Sequence, residues 1–172
     1  MVRAIRENRT PNLFALEYGL SNWAVVNLIL IPSFAFPLSA IEKRNPLGAH
    51  ARRAGWVGCN ILLDAIPADA RIPIVCAGSF ISPTIVREQY LRVLPFEKLT
   101  PDKRGWTLDV LNVLRKLGKT EFALGDVYAA EYGLARLHPA NRHVRDKIRQ
   151  QLQVLRDLGF VQFLGGGEYR LR

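Results

Sequence analysis

A mixed α/β first half followed by a small helix-and-hairpin second half is the fold class that this 172-residue sequence predicts. Three observations predict it. In residues 142–160, Val144, Ile148, Leu152 and Leu155 recur at helical spacing as one stripe, while Arg142, Arg145, Arg149 and Arg156, with Gln153, form another. Next, Gly159 ends that helix, residues 160–164 read as a strand, Gly165-Gly166-Gly167 as a turn and residues 168–172 as a returning strand. Third, short apolar segments at residues 12–18, 24–31 and 71–77 suit strands. A helix running into a hairpin is the end of a winged helix-turn-helix, and the second half is assigned that fold.

Taken in order, residues 2–8 read as the last turns of a helix that feeds directly into two strands, residues 12–18 and 24–31, joined by a Gly-Leu-Ser-Asn turn at Gly19. Both are expected to be interior strands. Such an opening is how the second half of an α/β domain reads. Pro32 and Pro37 close this section, and residues 39–44 suit a short helical turn before Pro46. Residues 51–58 are small and glycine-rich, and are expected to form a loop leading into a strand at residues 60–63. Arg52 and Arg53 stand beside Trp56 there, bracketed by Gly55 and Gly58. Two guanidinium groups and an indole on one segment can hold phosphate and stack on a base. A tryptophan packed on the sheet with its arginines in water is the plainer reading, and composition favours it.

Residues 83–93 suit an amphipathic helix, and residues 95–103 a polar linker. The domain boundaries expected are therefore 1–94, 95–103 and 104–172. In the last unit Trp106, Leu108, Val110, Leu111, Val113, Leu114 and Leu117 supply the apolar face of a first helix, which Gly118 stops. Residues 120–122 suit a short strand and residues 124–137 a second helix ended by His138-Pro139, and Asn141 is positioned to cap the third.

Twenty-four Lys and Arg against fifteen Asp and Glu give a net charge of +9. Residues 104–172 hold twelve against seven and residues 1–103 twelve against eight, so both halves suit a polyanion. A membrane is not expected as a partner: the eight-residue apolar run at 24–31 falls well short of the ~20 residues that span a bilayer. No secretory leader is legible at the start, and Cys59 and Cys76 have no CxxC neighbour, so a reducing cytoplasm is the expected setting. On the third helix, arginine fits phosphate and the guanine edge, and glutamine fits adenine. A solvated surface helix with ordinary charges explains the same stripe equally well, given Asp146, Lys147 and Asp157 on its flank.

RRAGWVGCNI at residues 52–61, RGWTLDVLN at 104–112 and, most specifically, IRQQLQVLRDLGFVQFLGGGEYR at 148–170 resemble the DpnI-like restriction endonucleases, the Dam-replacing family. The resemblance covers the whole chain. It implies the second half of a PD-(D/E)XK nuclease domain at residues 1–94 followed by a winged helix. It also implies a type IIM enzyme recognising GATC with N6-methyladenine on double-stranded DNA, with both domains reading the site. The DNA-binding residues expected are Arg52, Arg53 and Trp56 in the first half, and Arg142, Arg145, Arg149, Gln150, Gln153, Arg170 and Arg172 in the second.

In one respect the sequence departs from that pattern. Phosphodiester hydrolysis in this fold needs an Asp followed by Glu-x-Lys, whose carboxylates hold Mg²⁺ while the lysine steadies water or phosphate. No Glu-x-Lys or Asp-x-Lys occurs here; Glu42-Lys43, Glu97-Lys98 and Asp102-Lys103 put the lysine adjacent instead. The paired CxxC zinc motif is also missing. Mg²⁺ and structural zinc are implied for the full-length enzyme, no cofactor is expected in this chain, and a catalytic portion is expected upstream of Met1. The chain alone is expected to bind without cutting. His50, His138 and His143 lack ligand spacing and are expected at the surface or as caps. Two other classes remain: a winged-helix regulator of unmodified DNA whose first half dimerises, and a protein-interaction module with weak salt dependence.

Overall fold

The computed structural model describes residues 1–21 and 23–172. The last position of the turn expected at Gly19, Asn22, lies outside the described residues. A short helix α1 (Val2–Arg6) leads into β1 (Leu13–Gly19), which pairs antiparallel with β2 (Ala24–Ile31) from Leu13 opposite Ile31 to Gly19 opposite Ala24. Pro32 and Pro37 then each start a single 3-10 turn, at Ser33–Ala35 and Leu38–Ala40. Their fixed φ preorganises these turns, and the alanines that close them, Ala35 and Ala40, are buried. The helical turn expected at 39–44 is corrected: after Ala40 the chain extends as β3 (Ile41–Lys43), paired with β4 (Cys59–Ile61).

Two further 3-10 turns, Leu63–Ala65 and Ala68–Ala70, lead into β5 (Ile72–Cys76). The sequence reading missed β6 (Ser79–Phe80), which returns on β5 through Ala77 and Gly78, both at positive φ as a two-residue hairpin turn requires. The order of this antiparallel sheet is β1-β2-β5-β6. Thus β2 is interior, but β1 is an edge strand, with Phe14 58% and Leu16 59% exposed. Nothing in its apolar pattern distinguished a covered strand from an uncovered one.

Helix α2 (Pro83–Val93) begins with proline in its first turn and packs on this unit, Tyr90 meeting the ring of Phe34 edge-on at 6.0 Å. Residues 95–103, expected as a polar linker, are structured: a 3-10 turn spans Leu94–Lys98, and α3 (Pro101–Lys116) begins at Pro101. Phe96 within this stretch is 1% exposed and lies 5.0 Å from the Phe160 ring. One apolar side chain among polar neighbours was enough to anchor the connection. Gly118, at φ +65, ends α3.

Then follow β7 (Glu121–Ala123), α4 (Leu124–Tyr128), α5 (Glu131–Leu137), α6 (Val144–Asp157), β8 (Val161–Gly165) and β9 (Glu168–Leu171). Their sheet has the order β7-β9-β8, and the whole is a winged helix-turn-helix. The single helix expected over 124–137 is two, separated at Ala129–Ala130; Gly125 and Gly133 on either side weaken a continuous helix there. Asp126 accepts from the Ala123 N–H at 2.9 Å and pairs with Lys119, and these contacts hold its carboxyl below the usual range.

Both halves share one core, which runs from Ile5 and Phe34 through Phe96 and Trp106 to Ile148, Phe160 and Tyr169. Polar contacts cross the same junction. The nearly buried Asp69 carboxylate accepts from Arg115 Nε and Nη2 at 2.7 and 2.6 Å, and Arg115 also donates to the Arg172 carbonyl at 2.8 Å, which Arg92 reaches as well. Arg104, 2% exposed, donates to Asn8 Oδ1 at 2.9 Å; burial lowers its pKa. Ser39 donates to Asp109, whose other oxygen lies 2.7 Å from His138 Nε2. Since Asp69→Ala removes two charge-assisted hydrogen bonds from partly buried Arg115, it is expected to lower the unfolding free energy by about 2 kcal/mol in urea melts. A loss under about 0.5 kcal/mol would assign the junction to apolar packing alone.

Candidate nucleic-acid interface

Helix α6 docks by the stripe its sequence spells: Ile148, Leu152 and Leu155 are fully buried and Val144 nearly so. Among the three glutamines at 150, 151 and 153 the structure separates roles that spacing left open. Gln151 is wholly buried, and its Oε1 accepts from the Thr107 hydroxyl of α3 at 2.7 Å. This pair fixes the rotation of α6 on α3. Gln150 and Gln153 are exposed, as are Arg142, Arg145, Arg149 and Arg156.

Three of the guanidinium groups on that face, those of Arg145, Arg149 and Arg156, are held by identifiable groups. Arg145 Nε lies 2.7 Å from Glu131 Oε2 at the start of α5, and Arg149 Nη1 lies 3.7 Å from Asp146. The Tyr128 ring sits 5.1 Å from the Arg145 guanidinium carbon and 5.7 Å from that of Arg149, so one aromatic face underlies both cations. Arg156 pairs with Asp157 at 2.8 Å and lies over Phe163 at 4.8 Å. Sequence reasoning missed Tyr128; an aromatic on the preceding helix carries no signal of the helix it will face. The phenol of Tyr169 is pushed up by burial, then by neighbouring Tyr128, against a smaller opposing effect of Arg149.

At the hairpin tip Gly165, Gly166 and Gly167 all adopt positive φ, 97°, 59° and 85°, which side chains resist. Arg170 and Arg172 lie away from that tip, toward the foot of the hairpin. Arg170 donates from Nε and Nη2 to Glu121 on β7, and Arg172 donates to Gln162 at 2.9 Å.

In the first half the β3–β4 pairing continues outward, with the Arg44 N–H donating to the Gly58 carbonyl at 3.0 Å and the Leu47 N–H to the Trp56 carbonyl at 2.9 Å. The loop expected around 51–58 is therefore the end of a two-stranded arm. Arg52 and Arg53 are exposed near its tip, and Trp56 is 53% exposed. The indole is thus not packed into the sheet. It lies over Gly58, where an added Cβ would come within 2.8 Å of the ring. Lys43 and Arg44 belong to the same arm, which carries no acidic residue from position 43 to 58. That absence was the signal available for these two additional cations.

His138 is the C-cap residue of α5, its backbone N–H donating to the Leu134 carbonyl, as one of the two expected roles has it. Its ring is turned inward rather than to the surface: it stacks on buried Trp106 at 3.7 Å and contacts Asp109 at the junction. His143 is exposed; its N–H donates to Asn141 Oδ1 at 2.8 Å, just ahead of α6. Among the described residues no three His, Cys, Asp or Glu side chains are grouped to hold a metal ion, and Cys59 and Cys76 are exposed thiols. No helix among the described residues is long and apolar enough to cross a membrane.

A family model described as the Dam-replacing family matches residues 1–98, more than half of the chain, and one described as the Dam-replacing HTH domain matches residues 102–171. The two matches meet where the 3-10 turn at Leu94–Lys98 gives way to α3.

Proposed function

Since the chain belongs to the Dam-replacing family and carries its helix-turn-helix domain, we propose that it is the DNA-reading portion of a DpnI-like restriction endonuclease that recognises N6-methyladenine in GATC. The observation that carries this reading is the outer face of α6, where Arg142, Arg145, Arg149, Gln150 and Gln153 are exposed while the opposite stripe is locked into the core. A helix so presented fits the major groove. Arg145 and Arg149 hold it there, and Gln150 or Gln153 reads an adenine edge through its amide. The glycine tip brings hairpin backbone close to the phosphate chain, with Arg170 or Arg172 adding charge from the foot.

Residues 1–94 act, in this proposal, as the second half of a PD-(D/E)XK-type domain and provide a second reader. Arg52 and Arg53 take phosphates, and the exposed Trp56 ring stacks on a base or covers its methyl group. Without Glu-x-Lys in the 172 residues, the chain binds and does not cut. Incubation of methylated GATC duplex with the purified chain and Mg²⁺ is expected to leave the strands intact.

Trp56→Ala tests the second reader. Stacking on one base is worth about 1–3 kcal/mol, so affinity for a methylated duplex is expected to fall roughly tenfold, with the melting temperature unchanged because the ring is half in solvent. Intact methyl preference in Trp56→Ala would remove that residue from the reading.

A further inference from the structure

Four arginines of the winged-helix surface stand in ion pairs. Arg145 has Glu131, Arg149 has Asp146, Arg156 has Asp157 and Arg170 has Glu121. The closest pairing within the helix-turn-helix itself is the 2.7 Å contact between Arg145 Nε and Glu131 Oε2. Glu131 opens α5, where a helix start favours its negative charge, and it is only partly exposed, so the carboxylate is held where Arg145 points. Tyr128 confines the same guanidinium from the aromatic side.

We propose that Glu131 is a specificity-determining residue for DNA: it neutralises Arg145 against phosphates of any sequence. This rests on the reading of α6 as the DNA-facing helix. A phosphate offers Arg145 little that Glu131 does not already provide, and a phosphate brought to Arg145 also approaches a carboxylate of its own sign. On an arbitrary duplex, where phosphate contacts supply essentially all the affinity, the pair subtracts from binding. At the recognised site, the base contact from Gln150 or Gln153 does not depend on that exchange. Discrimination therefore rises because non-specific binding is suppressed, at the cost of some total affinity. The cations of the arm, which stand in no ion pair among the described residues, supply the general grip that α6 withholds.

The test is Glu131→Gln, measured by anisotropy across a salt series on a scrambled duplex and on methylated GATC. Freeing one phosphate-binding charge is expected to steepen the slope of log K against log salt on the scrambled duplex by about 0.9, and to raise affinity there roughly three- to tenfold at 0.1 M salt. Affinity for methylated GATC is expected to rise less, so the ratio between the two falls. The effect is expected to vanish in an Arg145→Ala background. An unchanged slope, or a change that persists without Arg145, would overturn the role of Glu131 while leaving DNA reading by α6 intact. Absence of binding by both wild type and Glu131→Gln would overturn the DNA reading first and this inference with it.

Discussion

Phe96→Ala is expected to lower the unfolding free energy by about 3–5 kcal/mol, the range for emptying a large buried aromatic site. Domains of this size have ~5–15 kcal/mol in total, so about a fifth or more of the margin would go. The side chain is 1% exposed and contacts Phe160, the residue immediately before β8. It therefore joins the connection between the halves to the turn between α6 and the wing. Truncation opens a cavity that neither half can close alone. Denaturant melts followed by circular dichroism and by tryptophan fluorescence are expected to shift together, since Trp106 lies in the shared core while Trp56 reports on the arm. A loss under about 1 kcal/mol, or two separate transitions already in the wild type, would mean that the halves fold independently.

Arg149→Ala carries the second large effect, on binding rather than stability. Its side chain is 57% exposed and its ion pair with Asp146 is long, 3.7 Å, so the fold is expected to stay within about 0.5 kcal/mol of wild type. If Arg149 reads a base, affinity for methylated GATC falls by about 1–3 kcal/mol, roughly five- to 150-fold, and affinity for a scrambled duplex falls much less. An equal loss on both, with the salt slope reduced by about 0.9, would make it a phosphate anchor. Tyr128 sharpens the first expectation, because a guanidinium held against an aromatic face surrenders less freedom when it forms a bidentate contact.

Local signals were legible where a residue's own periodicity or conformation decided the outcome. The stripe on α6, Pro83 at the start of α2, Gly118 at the end of α3 and the three glycines of the hairpin each act through neighbours in sequence. What depends on distant residues was not. The edge position of β1 follows from what lies beside it, and burial of Phe96 follows from Phe160, 64 positions away. Pairing of Gln151 with Thr107, of His138 with Asp109 and of Arg145 with Glu131 all join segments whose spacing carries no shared pattern. For the candidate site, the exposed arginines and glutamines of α6 could be named in advance, and so could Arg52, Arg53 and Trp56. Asp146 and Asp157 beside the stripe were legible too, whereas the Glu131 that restrains Arg145 from another helix, the tyrosine beside two arginines and the extension of the loop into an arm required the fold.

The measurement that bears most directly on the DNA-reading proposal is anisotropy of the purified chain with three matched duplexes: GATC carrying N6-methyladenine on both strands, unmodified GATC, and a scrambled site. A salt series should accompany each. Tightest binding to the methylated duplex, with a steep salt slope on all three, is the result expected of a methyladenine reader with a basic arm. Equal, salt-sensitive affinity for the three would contradict methyl reading and leave a winged helix that binds DNA without regard to the modification.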